Sequence, residues 1–143
     1  MLVSQILRTK AGGVTTIAPD ATLREAAELL ADRRIGALIV SPDGKKVSGI
    51  ISERDLVREL GKRGTDCLND KVKQVMTRQI YGCKPGDLAD QVLRIMTDRR
   101  FRHMPVMDGD EMIGLISIGD VVAARLSELE HEKEALTGMI MGH

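Results

Sequence analysis

Tryptophan is absent from this chain, and Tyr81 and Phe101 are its only aromatic side chains of the Phe, Tyr and Trp class. Two rings do not make the succession of stacking platforms on which single-stranded nucleic acid is threaded. An excess of positive charge is also missing, because Lys+Arg and Asp+Glu both number 21. Nothing therefore draws the whole surface to nucleic acid or to an anionic membrane, and any anion site must be local. The two cysteines, Cys67 and Cys83, stand at no metal-ligand spacing, and a chain of this size folds without a disulfide, so a reducing compartment is expected. No run approaches the ~20 apolar residues that cross a bilayer, and residues 1–10 lack the apolar centre of a signal peptide. A cytoplasmic protein with neither nucleic acid nor membrane as partner is the expectation.

Catalytic signatures are missing as well. There is no G-x-G-x-x-G fingerprint, no P-loop and no nucleophile, base and orienting group in a recognisable set. His103 is the only histidine inside the repeated region described below, and one histidine does not sustain metal chemistry. Asp108-Gly109-Asp110-Glu111 is too short for a twelve-residue calcium loop and reads as a hairpin turn. The chain is expected to be no enzyme, with no metal and no catalytic cofactor.

What the chain does have is a repeat. Hydrophobic residues at 43% and charged residues at 29% describe a packed globular protein, and 143 residues suit one domain or two small units that share a core. Pro19, Asp32, Arg33, Arg34 and Val40 recur as Pro85, Asp98, Arg99, Arg100 and Val106. After a one-residue deletion in a turn, Gly49, Ile51, Ser52, Asp55 and Val57 recur as Gly114, Ile116, Ser117, Asp120 and Val122. Similar lead-ins, residues 3–7 and 72–76, precede the copies. The expected organisation is 1–66, including the first lead-in helix, then 67–126, then a helical extension at 127–143.

Within copy one, Thr22 and Glu25 form a capping-box pattern, and Leu23, Ala26, Ala27 and Leu30 share a helical face as far as about Arg34. Copy two is expected to start its helix near Asp87, with Leu88, Val92, Ile95 and Met96 on the buried side. The basic pairs that end both helices, Arg33-Arg34 and Arg99-Arg100, are of a type to bind phosphate but are read as partners of the helix dipole. Apolar runs at 35–40 and 101–106 pair through polar turns with runs at 47–52 and 112–117. A helix over 55–60 stopped by Gly61 follows the first hairpin, and one from Asp120 towards Leu136 follows the second. The order is β-α-β-β-α, twice. This predicts an α/β (α+β) fold of two small sheets packed about a pseudo-twofold axis, with helices outside.

Both copies place a serine and an aspartate three residues apart where a strand enters a helix, at Ser52 and Asp55 and at Ser117 and Asp120. By itself this pattern is a helix cap. The same geometry also holds phosphate, since a helix N-terminus offers N–H donors and positive potential while a nearby carboxylate accepts ribose hydroxyls.

These landmarks, with the residues Arg102-His103-Met104-Pro105-Val106, resemble a CBS-domain pair of the stand-alone tandem type, over residues 1–126. The resemblance implies a regulatory module that binds an adenosine compound: AMP or another adenine nucleotide such as ADP or ATP, NAD(H), or S-adenosylmethionine. It implies phosphate and ribose sites at Ser52 with Asp55 and Arg54, and at Ser117 with Ile118 and Asp120. Adenine contacts are implied at Thr15, Thr16 and Ile17 and at Tyr81, Gly82 and Cys83. Arg102, His103 and Met104 are expected to face Ser52 across the pair, while Gly36, Ala37 and Leu38 line the other crevice. On this reading no basic group stands opposite Ser117, so the Ser52 crevice takes the more charged ligand. Val122, Leu126, Leu129 and Leu136 give the last helix near-heptad spacing and suggest a homodimer, with a regulated protein as further partner. An interaction scaffold with vestigial crevices is the alternative.

Overall fold

The computed structural model describes residues 1–10 and 13–141. The elements are α1 (Val3–Thr9), β1 (Thr16–Ile17), α2 (Leu23–Arg33), β2 (Ala37–Val40), β3 (Gly49–Ser52), α3 (Glu53–Arg63), α4 (Val72–Val75), α5 (Ala89–Arg99), β4 (His103–Asp108), β5 (Glu111–Ser117) and α6 (Ile118–Ile140). A 3-10 turn over Gly64–Asn69 joins α3 to α4. One sheet has the order β1-β2-β3, with β1 parallel and β3 antiparallel to β2; the other is the β4-β5 hairpin.

The third strand of the first sheet has no full counterpart in the second, and one residue explains this. The Ile39 N–H donates to the Thr15 carbonyl. Pro105 holds the equivalent place in β4 and has no N–H to give. The second copy keeps only the single bridge between Cys83 and Val106.

Caps fix where the helices begin. Thr22 and Glu25 exchange side chain to backbone bonds at the head of α2, both at 3.2 Å. In copy two Asp87 does not cap α5: its carboxylate accepts from the Lys84 N–H at 2.8 Å, holding a turn, and α5 starts at Ala89 with Leu88 at the cap position. Ala89, Val92 and Met96 are buried there, whereas Leu88 and Ile95 are 41% exposed, a correction to the expected buried face. Gly61 does not stop α3 either. The helix ends at Gly64, whose φ of 70° places it in the left-handed region. Both α2 and α5 end on an arginine in left-handed conformation, Arg34 at φ 54° and Arg100 at φ 60°. The last helix runs through Gly138 to Ile140.

Two cores lie behind the two sheets, and the lead-in helices cross between them. Val72 and Met76, from α4 and its end, join Leu23, Ala26, Leu30, Leu38, Val40 and Ile51 of copy one. Val3 and Ile6 of α1 join Val92, Met96, Met104, Val106 and Ile116 of copy two. The bonds that fasten them match pair for pair. Val3 and Ser4 N–H groups donate to the carbonyls of Asp87 and Pro85, as those of Val72 and Lys73 donate to Ala21 and Pro19. A cut at 66/67 thus divides the repeated sequence, while the cores divide so that α1 lies with copy two and α4 with copy one.

Candidate functional site

Each hairpin is closed within its own copy where its second strand leads into a helix, and at this place Gly36 of copy one lies against His103 of copy two. The Glu53 N–H donates to the Gly36 carbonyl at 3.0 Å, and the Ile118 N–H donates to the Arg102 carbonyl at 2.8 Å. A crevice opens on each side of this junction, and His103 lines both. The sequence reading placed His103 in the Ser52 crevice alone. Gly36 is what makes room: a Cβ there would lie 3.0 Å from Glu53 Oε1 and 3.7 Å from the His103 ring.

The Ser52 crevice has a volume of about 280 Å³. Asp55 is 4% exposed at its base. Its Oδ2 accepts from the Ser52 N–H at 2.9 Å and from the Ser52 hydroxyl at 3.1 Å, and its Oδ1 accepts from Arg58 Nη2 at 2.8 Å. The cap is therefore formed and the buried carboxylate is paired, as desolvation of a charge demands. Arg54, Arg100 and Arg102 also line this crevice, and among the described residues none of the three forms an ion pair. The wall carries three uncompensated guanidinium groups beside the phosphate-type cap. Both aromatic rings stand in the same wall. Tyr81 and Phe101 pack with ring centroids 5.0 Å apart, and Arg99 holds the tyrosine by a 2.8 Å bond to its hydroxyl with the guanidinium carbon 4.8 Å from the ring centre.

The Ser117 crevice is larger, about 370 Å³, and combines Ser117 and Asp120 with Thr15 and Gly36 of copy one. The Asp120 carboxylate accepts from the Ser117 N–H at 2.8 Å and from Lys10 Nζ at 2.8 Å. Burial works against ionisation of Asp120, but the Lys10 ammonium and the Ser117 donors outweigh it and hold the carboxyl below its usual range. A basic group does stand at Ser117, then, which corrects the expectation. It comes from the end of α1, beyond the reach of any comparison between strands. For His103, burial, Lys10 and Arg102 outweigh the attraction of Asp120 and Glu53 and keep the imidazole below its ordinary value.

Of the other residues singled out in the sequence, Ile17, Leu38, Cys83 and Met104 turn their side chains into the cores, Ala37 is buried on the face of β2 opposite Leu38, and Ile118 packs against the second core. Thr16 sits in β1 paired with Ile39, and Gly82 lies against Met107 and Pro105. Burial pushes the Cys83 thiol up to about 12, so it is no ready nucleophile. Sequence reasoning missed Lys10, Arg58 and Arg100. Arg58 was legible as the basic residue three positions past Asp55. Arg100 was weighed as a phosphate ligand and read as a helix-end cation, yet its left-handed backbone accompanies a place in the crevice wall.

Comparison with known proteins gives the following. Residues 3–62 and 72–127 match the family described as CBS domain. The Arabidopsis thaliana protein named CBS domain-containing protein CBSX3, mitochondrial, is 32% identical over 98% of this chain and 72% of its own length. A CBS-domain containing protein of Agrobacterium tumefaciens, solved as a crystal structure, is 40% identical, with a TM-score of 0.83 over 87% of this chain and 99% of that one. CBSX2, solved in complex with AMP, is 26% identical, with a TM-score of 0.68 over 80% of this chain and 88% of that one.

Proposed function

The chain belongs to the CBS-domain family, and on that premise we propose that it is an adenine-nucleotide-binding regulatory module, without catalysis of its own, whose ligand state is read by a partner protein. The observation that carries this is the Ser52 crevice, where Tyr81, Phe101 and three arginines that form no ion pair among the described residues surround a Ser-x-x-Asp cap whose Asp55 is buried. A flat base stacks on rings, a ribose donates to a carboxylate, and a phosphate takes guanidinium and helix-head donors. AMP in the related CBSX2 supports the same ligand class.

In this reading Ser52, Arg54, Arg100 and Arg102 hold phosphate and Asp55 takes the ribose, with Tyr81 and Phe101 beside the base. Ser117, Asp120, Thr15 and Gly36 form the second, less positive site. A ligand regulates only through different affinity for two states, and the junction strands shared by both crevices are the element it acts on. The free, buried thiols of Cys67 and Cys83 suit the reducing, cytoplasmic setting that belongs to this proposal.

Calorimetry with AMP, ATP, NADH and adenosine tests it. Micromolar to millimolar binding of at least one nucleotide is expected, and Arg102→Ala should weaken AMP about tenfold while sparing adenosine, because one charge-assisted bond is lost. No binding by any of them at millimolar concentration would sink the nucleotide reading.

The exposed apolar stripe on α6 favours a second reading, an interaction scaffold with vestigial crevices. Nucleotide at a hundred times its dissociation constant stabilises a binder by about 2.7 kcal/mol and leaves a scaffold's melting temperature where it was.

A further inference from the structure

Asp55 and Asp120 hold equivalent places at the heads of α3 and α6, and each is neutralised by one cation, but the two cations come from different parts of the chain. Asp55 takes Arg58 from the next turn of its own helix. The position equivalent to Arg58 after Asp120 is Ala123, which can neutralise nothing. Lys10 does that work instead, from 110 positions away, donating to Asp120 Oδ2 at 2.8 Å and to the Leu115 carbonyl at 2.7 Å. The lead-in residue that corresponds to Lys10 on the other side is Gln79, an uncharged residue in the wall of the Ser52 crevice. Lys10 also lines the Ser117 crevice, so its ammonium stands in the space a ligand enters.

The geometry points to Lys10 as an internal counter-ion that a ligand's sugar displaces from Asp120 and that then turns to the ligand's anionic group, making this crevice select a nucleoside monophosphate over the bare nucleoside. The inference rests on reading the Ser117 crevice as an adenosine-type site. Its chemistry is a matter of donors and acceptors. An ammonium only donates, as do ribose hydroxyls towards a carboxylate, so both compete for Asp120, whose Oδ2 already accepts from the Ser117 N–H. A lysine head on a flexible four-carbon stem can leave one partner for another within the same crevice. An anionic ligand offers the displaced ammonium a new partner. A neutral nucleoside offers none and must break the Lys10 pair without replacement. No arginine lines this crevice among the described residues, and burial holds the His103 ring there towards its neutral form, so Lys10 is the cation that makes the distinction.

The absence of tryptophan allows a test confined to this crevice. Ile113 is 48% exposed in its wall, so Ile113→Trp supplies a single fluorescent reporter there. In that background Lys10→Met, which keeps the stem and removes the charge, should strengthen adenosine about threefold, the worth of a partly exposed ion pair. The same change should weaken AMP about tenfold, the worth of one charge-assisted phosphate bond, and Lys10→Arg should hold AMP near its original affinity. Opposite signs for the two ligands support the assignment. Equal shifts in one direction, or an unchanged AMP affinity, overturn it. If the reporter responds to neither ligand while calorimetry still shows AMP binding that Arg102→Ala weakens, the role of Lys10 falls and the nucleotide reading stands. If calorimetry is silent too, both fall.

Discussion

His103 lines both crevices, and its protonation makes stability depend on pH in a direction that can be worked out. Burial, Lys10 and Arg102 hold its folded value below the ordinary 6.5 or so. Above that value the imidazole is neutral in both folded and unfolded chains and costs nothing. As pH falls below it, the unfolded chain takes up the proton first, so folding stability declines through the window beneath about 6.5. Urea denaturation at pH 7.5 and 5.5 should show lower stability at the acid value, and His103→Gln should flatten the difference. Asp120 adds to the same trend only further down, because its lowered carboxyl keeps its contribution until the pH falls through the carboxylate range. At the scale of residues the sequence was legible where chemistry is local. Ser52 with Asp55 and Ser117 with Asp120 announce their caps by spacing alone, and Arg102 announces its charge. Lys10 was not legible, because no local pattern tells which carboxylate a lysine at the end of a seven-residue helix will meet 110 positions on.

Elements show the same division. Gly49 and Gly114 mark equivalent places where a lead-in residue lies against a strand. A Cβ on Gly49 would stand 2.5 Å from Met76 Sδ and 2.9 Å from the Thr77 carbonyl, whereas the three atoms nearest one on Gly114 all belong to the Leu7 side chain, the first at 2.6 Å. Side chains can rotate away and backbone cannot. Gly49→Ala should therefore cost about 1–3 kcal/mol in chemical denaturation and Gly114→Ala distinctly less. Strand pairing and the α2 cap followed from periodicity and turn residues. The missing third strand did not, since one absent N–H at Pro105 has its effect on a partner, Tyr81, that lies outside its own element. For α6, near-heptad spacing is borne by Val122, Leu126, Leu129, Leu136 and Ile140, with Lys133 at the intervening place. Leu126, Leu129, Leu136 and Ile140 are between 48% and 82% exposed, and only Val121 and Ala124 of this helix are buried. A homodimer seam over this stripe is the proposal, and sedimentation should find a dimer that Leu136→Glu dissociates. Wild-type protein that sediments as a monomer at high concentration ends it.

For the molecule as a whole, the two copies exchange their lead-in helices, so that neither core is built from one copy alone. Val3 and Ile6, fully or nearly buried, belong to the core of copy two although they precede copy one in the chain. Deleting residues 1–9 should cost about 3–6 kcal/mol, the burial of two large aliphatic side chains, and that loss should appear in one cooperative urea transition rather than in a separate early phase for copy two. Two transitions of the intact chain would contradict the coupling of the two cores through their exchanged lead-in helices. The repeat itself stood plainly in the sequence, but its partition into cores did not, because sequence similarity aligns α1 with α4 and cannot say on which core either comes to rest.

The crossing of α1 has a further consequence when the chain is regarded as a ring. Copy one and α4 form a continuous stretch, whereas copy two is completed by a segment from the far side of the chain. The first helix therefore acts as a clasp. It fastens the segment ahead of copy one to the core of copy two, so that copy two cannot release it without opening that core. It also ends at Lys10, so the clasp and the second crevice meet at one residue. A ligand that draws Lys10 from Asp120, as proposed above, would therefore act on the fastening of the ring.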